Sequence, residues 1–164
     1  KVVDGGRASN WFNNLELGAM VEFLGPSGKF VFQAGAKRHL FVATGTGIAP
    51  FRAMLEEQIA ARPQEQFMLL FGVRHESDIF YREYFEELAQ KHSNFQFHLT
   101  LSQPEDESWV GDRGRVTELL KKLDHDPANT QVYICGLKAM IEDVCTQLKG
   151  LGFTDDQILF EKYD

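Results

Sequence analysis

The sequence predicts an α/β fold, with one five-stranded parallel sheet flanked by helices. From about His39 onward, short apolar runs alternate with longer amphipathic ones. The apolar runs are nearly continuous and rich in β-branched and aromatic residues, which is typical of parallel strands that helices cover on both sides. The length of 164 residues suffices for one full core and a short appendage.

The individual elements follow from the spacing of the apolar residues. Composition predicts strands at residues 39–43, 67–73, 95–101, 131–135 and 158–160. Helical spacing predicts helices at residues 51–61, 81–92, 116–123 and 138–149. In the second helix, for example, Phe85, Leu88 and Ala89 fall at i, i+3 and i+4. Pro63 and two polar stretches, 104–108 and 124–129, supply loops between these elements.

The first 34 residues show a different sequence pattern from the rest of the chain. Five glycines and Pro26 surround one apolar run at residues 20–24, which is predicted as a strand. A short helix is predicted at residues 10–15, with Ser9 as its N-cap. This is too little chain for an independent barrel, which at typical domain sizes needs on the order of 100 residues. We therefore expect a boundary at residues 34–37, dividing domain 1–34 from domain 35–164. Because Lys1 begins inside this patterned segment, we also expect a longer protein.

Composition excludes several classes of function. The formal charge of −7 argues against a nucleic-acid partner, because a phosphate-tracking surface needs excess Lys and Arg. No apolar run approaches the roughly 20 residues that span a bilayer, so no membrane span is expected. Cys135 and Cys145 are too few for a disulfide framework, which predicts a reducing, cytoplasmic location. The histidines form no HxxxH or HxH pair, so no metal site is expected.

The strongest local signal is the segment from residue 39 to residue 50. A buried strand leads into a glycine-rich turn, and an amphipathic helix follows. Gly45 and Gly47 let the backbone turn tightly and leave room for a diphosphate, whose charge the amides of a helix N-terminus favour. Pro50 suits the first helical turn. Pro50 also replaces the third glycine of GxGxxG, so an ordinary turn is the alternative, but the order of strand, turn and helix favours dinucleotide binding.

Four segments together resemble the ferredoxin–NADP reductase superfamily, in its order and at its rough spacing. They are Gly6-Arg-Ala-Ser9, Gly25-Pro-Ser-Gly-Lys-Phe30, Thr44-Gly-Thr-Gly-Ile-Ala-Pro50, and Cys135-Gly-Leu-Lys-Ala-Met140 with the end Glu161-Lys-Tyr-Asp164. Residues 72–74 and 113–115 add weaker support. The resemblance covers essentially the whole chain and is closest to bacterial oxygenase reductases and flavodoxin or ferredoxin reductases. It implies a Rossmann-like NAD(P)-binding domain after a remnant of an antiparallel flavin-binding β-barrel.

The resemblance implies roles for the two glycine-containing segments that precede helices. The first segment would hold the flavin diphosphate through Gly6, Arg7, Ala8 and Ser9. An ordinary helix cap is the alternative for that segment. In the second segment, Thr44 would lie beside the nicotinamide ring, and the diphosphate would lie over Gly45, Thr46 and Gly47. Residues 25–30 would form a tight turn with a structural role.

The resemblance also places residues from the C-terminal part of the chain near the redox centre. Cys135 and Gly136 end a strand at the carboxyl edge of the sheet, where open α/β folds bind their ligands. A thiol there can pack along the hydride path, although a buried structural cysteine is the alternative and the better interpretation of Cys145. Met140 would line the same site or belong to the core. Glu161 would act near flavin N5, as a proton relay or electrostatic partner.

Tyr163 would cover the flavin or the nicotinamide, and a solvated C-terminus is the alternative for both Glu161 and Tyr163. Arg74 and Arg115 resemble arginines that bind the 2′-phosphate of NADP, and Ser102 would lie near the adenosine ribose. Against NADP, Gln103 stands where several NADP-dependent relatives have another arginine, and the acidic residues 105–107 would repel a phosphate if they pointed inward, with a solvated loop as their alternative. Plain surface charge is the alternative for the two arginines. The sequence therefore leans slightly towards NADP over NAD.

The function implied is that of a flavin-dependent reductase. The intact protein would pass a hydride from NAD(P)H to FAD, and then electrons to ferredoxin, flavodoxin, an oxygenase component or another iron–sulfur or haem acceptor. This chain alone is expected to bind FAD poorly and to catalyse little. The alternative is a stand-alone nucleotide-binding or sensory module without redox turnover. A two-electron dehydrogenase would need a substrate domain, for which the chain offers no segment.

Overall fold

The computed structural model describes residues 2–25 and 27–163. It contains a six-stranded, fully parallel sheet with the strand order β4-β3-β2-β1-β5-β6. The strands are β1 Arg38–Thr44, β2 Gln66–Val73, β3 Phe95–Leu101, β4 Asp112–Arg113, β5 Thr130–Gly136 and β6 Ile158–Lys162. All five strands that were predicted for the sheet are confirmed, but the sheet has six strands instead of the predicted five. The sixth strand, β4, is a polar two-residue edge strand that carries no hydrophobic run.

The helices are α1 Arg7–Asn13, α2 Ala49–Ala61, α3 Arg82–Lys91, α4 Val116–Lys121 and α5 Lys138–Gly150. The four predicted helices of the sheet domain are therefore correct to within two residues at each end. Alternate strand residues face opposite layers of helix. Phe41 and Ala43 share a core with α2 and α3, whereas Leu40 and Val42 share one with α4 and α5. The domain is a three-layer α/β/α sandwich.

The order of the strands defines where this sheet can bind a ligand. From β1 the chain proceeds to β2, β3 and β4 on one side, and then crosses to β5 and β6 on the other side. The connections after β1 and after β5 therefore leave the sheet in opposite directions. Open α/β sheets bind ligands in the crevice outside the carboxyl ends of two such strands. In this molecule that crevice begins at Thr44 and Gly136.

The N-terminal segment differs from its prediction in two respects. Residues 20–24 form no strand, and Met20 and Leu24 are 96% and 99% exposed. A strand needs a hydrogen-bonded neighbour, and none of the described residues supplies one. The first helix covers Arg7–Asn13 instead of 10–15, and its N-cap is Gly6 instead of Ser9. Pro26 of the predicted turn and Asp164 of the C-terminal motif lie outside the described residues.

Candidate active site

The glycine-rich turn after β1 lies at the crevice. Gly45–Ile48 forms a 3-10 turn, and α2 starts directly behind it with Pro50 in its first turn, as predicted. Gly45 has a φ of +54°, where a residue with a Cβ is strained, and a Cβ there would have no atom within 4 Å. The backbone at Gly45 is therefore both free to turn and open to a ligand.

Gly47 allows a close contact within the protein. A Cβ on Gly47 would overlap the backbone carbonyl of Cys135 and lie 2.9 Å from the amide nitrogen of Gly136. The missing side chain thus allows the turn to pack against the end of β5. The glycine at position 47 therefore serves the contact between the turn after β1 and the end of β5, whereas the backbone at Gly45 is open.

Thr44, Gly136 and Met140 meet at the centre of the crevice. A Cβ on Gly136 would overlap the hydroxyl oxygen of Thr44 and lie 2.6 Å from the terminal methyl of Met140. The half-buried Met140 also packs against the core that α4 and α5 share. Met140 therefore packs on the core, which is one of the two alternatives that the sequence left open, and it also lies beside Gly136. The side chains of Thr44 and Met140 already occupy the space beside Gly136, so no side chain fits there.

Two helix N-termini point into the crevice. α2 and α5 begin behind β1 and β5, and no Asp or Glu stands in the first turn of either helix. In the described part of the chain neither N-cap has a side-chain hydrogen bond. By contrast, α3 and α4 carry Glu83 and Glu118 in their first turns. The positive ends of two helix dipoles favour an anion at this place. The sequence pattern indicated only the α2 terminus; the absence of Asp and Glu from the start of α5 is the signal that marks the second one.

Cys135, Glu161 and Tyr163 form a group on β5 and β6. Cys135 pairs with Glu161 across the two strands, and the amide of Tyr163 donates to the Gly136 carbonyl at 3.0 Å. Burial raises the pKa of the Cys135 thiol to about 12, the Glu161 charge adds to this shift, and a hydrogen bond from the Tyr163 hydroxyl opposes it. Burial, Cys135 and Glu161 also raise the pKa of Tyr163. The thiol is therefore protonated at neutral pH and acts as a packing group.

Arg74, Ser102 and Arg115 lie farther along the same carboxyl edge. Arg74 follows β2, Ser102 follows β3, and Arg115 follows β4 at the N-cap of α4. Backbone bonds hold this edge together, because the amide of Ser102 donates to Val73 at 3.0 Å and that of Gln103 donates to Arg74 at 2.9 Å. Both arginine side chains are exposed. The topology therefore gathers the three residues on one edge, outside the central crevice.

In the acidic loops beside Arg74, two carboxylates accept hydrogen bonds from backbone amides of these loops. The carboxylate of Glu76 accepts from the amide of Glu105 at 2.9 Å, and this bond is the main cause of the lowered pKa of Glu76. The carboxylate of Asp106 accepts from the amide of Ser108 at 2.8 Å, which likewise lowers the pKa of Asp106. These two carboxylates order the loops that follow β2 and β3, and they remain charged at neutral pH.

The first predicted site segment is separate from the others. Ser9 lies within α1, where its hydroxyl accepts from the amide of Val3 at 3.0 Å and contacts the carbonyl of Gly6. Asn10 donates to the same carbonyl at 2.6 Å. No hydrogen bond, ion pair or ring contact in the described ranges joins Gly6, Arg7, Ala8 or Ser9 to the sheet domain.

Comparison with known proteins decides the family. Residues 41–146 match the family described as the oxidoreductase NAD-binding domain. The chain is 39% identical over 171 residues to ferredoxin–NADP reductase B of Sorangium cellulosum, covering 99% of this chain and 69% of that protein. The chain belongs to the ferredoxin–NADP reductase superfamily. This confirms the resemblance that the four sequence segments indicated.

Other members of the superfamily are similar over the same length of chain. One subunit of the Na⁺-translocating NADH-quinone reductase of Shewanella denitrificans is 32% identical over 164 residues, covering 96% of this chain and 40% of that protein. The Amycolatopsis cytochrome P450 reductase GcoB has a TM-score of 0.87 at 27% identity, covering 98% of this chain and 49% of that one. The chain therefore spans from two fifths to about two thirds of the length of these relatives.

A ferredoxin NADP⁺ reductase of Neisseria gonorrhoeae, solved with bound FAD and NADP, shares the fold. Its TM-score is 0.77 at 23% identity, covering 98% of this chain and 71% of that one. In this chain, the residues that match the family, 41–146, include the crevice residues from Thr44 to Met140. Glu161, Tyr163 and the segment from Gly6 to Ser9 lie outside that range.

Two further properties concern the described residues as a whole. Residues 2–25 and 27–163 contain no group of three or more His, Cys, Asp or Glu side chains that could hold a metal ion. No helix within those ranges has the length and apolar character needed to cross a membrane.

Proposed function

We propose that the protein containing this chain transfers a hydride from NAD(P)H to bound FAD. It then passes electrons to ferredoxin, flavodoxin or another iron–sulfur or haem acceptor, such as an oxygenase component. The observation that carries this proposal is the pair of acid-free helix N-termini at the crevice, beside the C-terminal group of Cys135, Glu161 and Tyr163. The names of the relatives, all reductases, support the same class of reaction.

The crevice fits a dinucleotide. The positive ends of the α2 and α5 dipoles would favour the charge of a diphosphate, and Gly45 leaves its approach open. Thr44 and Gly136 form the floor on which the nicotinamide end would rest. Because Gly136 carries no side chain, the hydroxyl of Thr44 and the terminal methyl of Met140 can pack against its backbone, and that hydroxyl would orient the ring.

The C-terminal group would shape the redox face of the site. FAD, when bound, supplies the conversion from hydride transfer to single-electron transfer. The Tyr163 ring is 38% exposed and would cover the crevice, while its hydroxyl holds the neutral thiol of Cys135 in place. Glu161 would provide a charge, or accept a proton, next to that ring. These residues exclude water and fix the orientation of the reactants, which is the protein's main contribution to hydride transfer.

The N-terminal part would belong to the flavin side of the protein. We assign residues 1–34 to the end of a flavin-binding barrel and residues 35–164 to the nucleotide-binding domain. Gly6, Arg7, Ala8 and Ser9 would contact the flavin diphosphate through the start of α1, although the Ser9 hydroxyl already has internal partners. The described residues supply only part of a flavin site, so this chain alone would bind FAD poorly. The free cysteines fit a reducing, cytoplasmic location.

The nucleotide is proposed to be NADPH. Arg74 and Arg115 are exposed on the edge where the adenosine would lie, and Ser102 stands between them in strand order. The relatives' names include NADP in one case and NADH in the other. The two arginines are therefore the observation that favours the 2′-phosphate.

The test begins with the visible spectrum of the full open reading frame's product, followed by anaerobic additions of NADPH and NADH. We expect a flavin spectrum that either nucleotide bleaches, faster with NADPH. A matched Gly136→Ala variant should retain the flavin spectrum and bleach much more slowly, because its methyl group would overlap the hydroxyl oxygen of Thr44 and displace it. A colourless protein that still binds nucleotide would instead support a binding or sensory module without redox turnover.

A further inference from the structure

Residues 30–33, here called the anchored segment, lie against the sheet domain, whereas the residues before them do not. Phe30 and Phe32 pack on the core that α2 and α3 share. In the described ranges, no hydrogen bond, ion pair or ring contact joins residues 2–25 or 27–29 to residues 38–163. The anchored segment precedes the boundary expected from sequence at residues 34–37. The physical junction therefore lies upstream of that boundary.

The hydroxyl of Tyr133 makes two hydrogen bonds to one residue of the anchored segment. It accepts from the amide of Gln33 at 2.9 Å and donates to the carbonyl of Gln33 at 3.2 Å. Tyr133 is fully buried in the middle of β5, and burial raises its pKa to about 12, so the hydroxyl remains a donor at neutral pH. A buried side chain from the sheet thus fixes both polar groups of an exposed backbone residue.

Aromatic rings hold the same segment from the side. The ring of Phe32 stacks on that of Tyr133, with centroids 5.8 Å apart and planes 11° apart, and lies 4.6 Å from the ring of His39. The guanidinium of Arg62, at the C-cap of α2, lies 5.0 Å from the centre of the Phe32 ring. Phe32 therefore contacts aromatic rings of the sheet and also a cation from the end of α2.

The floor beneath Phe32 is itself fixed by polar bonds. The buried His39 donates from Nε2 to the carboxylate of Glu65 at 2.8 Å. The amide group of Asn94 donates to the carbonyls of Ile59, Arg62 and Glu65. The turn that carries Arg62 and Glu65 is thereby tied to the sheet. Because both the floor and the cation are held, the site for Phe32 is preformed.

The residues just before the anchored segment have the opposite character. Gly28 has a φ of +135°, and a Cβ there would have no atom within 4 Å. Ser27 and Lys29 are exposed. A rotation at residues 27–29 would break none of the contacts described above. These residues therefore have the freedom that a pivot between two parts of a protein requires.

We propose that Tyr133 and Phe32 are positioning residues that hold the anchored segment on the nucleotide-binding domain, so that the flavin-bearing part pivots at residues 27–29 and not at residues 34–37. The proposal rests on the proposed function, because it concerns the distance between nicotinamide and flavin. When the anchored segment is fixed, the position of the sheet domain determines the position of the chain as far as residue 30, a few residues from the flavin-bearing part. Loosening it would allow the two reactants to separate without altering either binding site.

Two measurements on the full-length protein test this proposal. Hydrogen–deuterium exchange should show slow exchange at residues 30–33 and fast exchange at residues 27–29. Tyr133→Phe should speed exchange at residues 30–33, since it removes both hydrogen bonds but keeps the ring. In anaerobic stopped-flow experiments it should slow hydride transfer by roughly tenfold while leaving the Kd of the nucleotide unchanged, because small misplacements of reacting atoms cost rate.

The matched control is Tyr84→Phe, which removes a tyrosine hydroxyl from α3, on the same face of the sheet, where it faces Arg52 and Glu56. It should change neither the exchange at residues 30–33 nor the hydride transfer rate. Equal exchange at 27–29 and 30–33 in the unaltered protein would overturn the proposed pivot. Faster exchange in Tyr133→Phe with an unchanged rate would overturn the positioning role. The exchange measurement needs no flavin, so a protein without flavin would refute the proposed function separately.

Discussion

The central crevice and the outer part of the same sheet edge are built in opposite ways. At the ends of β1 and β5, two helices start without acidic residues. Gly47 has no room for a side chain because the backbone of Cys135 lies against it, and Gly136 has none because the side chains of Thr44 and Met140 occupy that space. At the ends of β2, β3 and β4, the following helices carry Glu83 and Glu118, and the loops are rich in acids. One edge of the sheet therefore joins a closely packed part, whose helix starts carry no acid, to an exposed part that is rich in acidic residues.

The difference indicates which part of the edge carries the shared chemistry of a dinucleotide and which part carries the choice among nucleotides. The diphosphate and nicotinamide are common to NADH and NADPH, and they would occupy the part with rigid backbone geometry. The 2′-phosphate distinguishes the two nucleotides, and it would meet side chains that stand on exposed loops. Substitutions at the crevice should therefore affect both nucleotides, and substitutions on the outer edge only one.

The largest effect is expected from Gly47→Ala. Its Cβ would overlap the Cys135 carbonyl, so the free energy of unfolding should fall by about 1 to 3 kcal/mol and binding of both nucleotides should weaken. Chemical denaturation and calorimetric titration would measure the two changes. Gly150→Ala is the matched control, because a Cβ at the end of α5 would meet no atom within 4 Å. Equal stability of the two variants would show that the contact between the turn and β5 is unimportant.

A smaller effect, confined to binding, is expected from Ala49→Asp. It places a carboxylate in the first turn of α2, where it should leave stability unchanged or raise it slightly, since acids favour helix N-termini. The same charge should weaken binding of both NADH and NADPH by roughly tenfold through repulsion of the diphosphate. Ala49→Asn has nearly the same shape without the charge and should bind normally. Normal binding by the aspartate variant would place the diphosphate elsewhere.

A selective effect is expected from Arg74→Gln and from Arg115→Gln. Each should weaken NADPH binding by roughly tenfold, because a charged hydrogen bond to the 2′-phosphate is lost, and should leave NADH binding unchanged. Lys91→Gln removes the same charge at the far end of α3 and serves as the control. If both nucleotides lose affinity equally, the arginines act through general charge and the lean towards NADP is incorrect.

The smallest effect on the crevice is expected from the pH dependence of its thiol. The pKa of Cys135 is raised from 9.0 to about 12, so the thiol stays protonated between pH 7 and pH 9. Alkylation by iodoacetamide at pH 8 should therefore modify the half-buried Cys145 before Cys135, which mass spectrometry would show. Because the folded-state pKa lies above the unfolded one, the thiol's contribution to stability is lost as pH rises above 9. Cys135→Ala should reduce that alkaline loss.

Much of this architecture was predictable from local sequence patterns. Apolar runs such as 67–73 and 131–135 are long and continuous, so they specify buried strands wherever they fold. The motif from Thr44 to Pro50 combines a strand end, glycines and a helix start, and its placement was correct. The two-residue strand Asp112–Arg113 was not predictable, since neither residue is apolar and its pairing depends on the neighbouring β3. The strand predicted at residues 20–24 did not form, because an apolar run becomes a strand only where a partner strand pairs with it, and the described residues provide none.

The chain by itself determined the elements, their order and the glycine-rich turn between β1 and α2, because periodicity and glycine placement act over a few residues. Only the tertiary structure decided that Gly47 packs against β5, that the start of α5 lies on the same edge as that turn, and that Tyr133 holds Gln33 from 100 positions away. These features arise from contacts between segments that are distant in sequence. Local sequence patterns do not predict such contacts, because the contacts form only when the strands of the parallel sheet pair and the segments pack together.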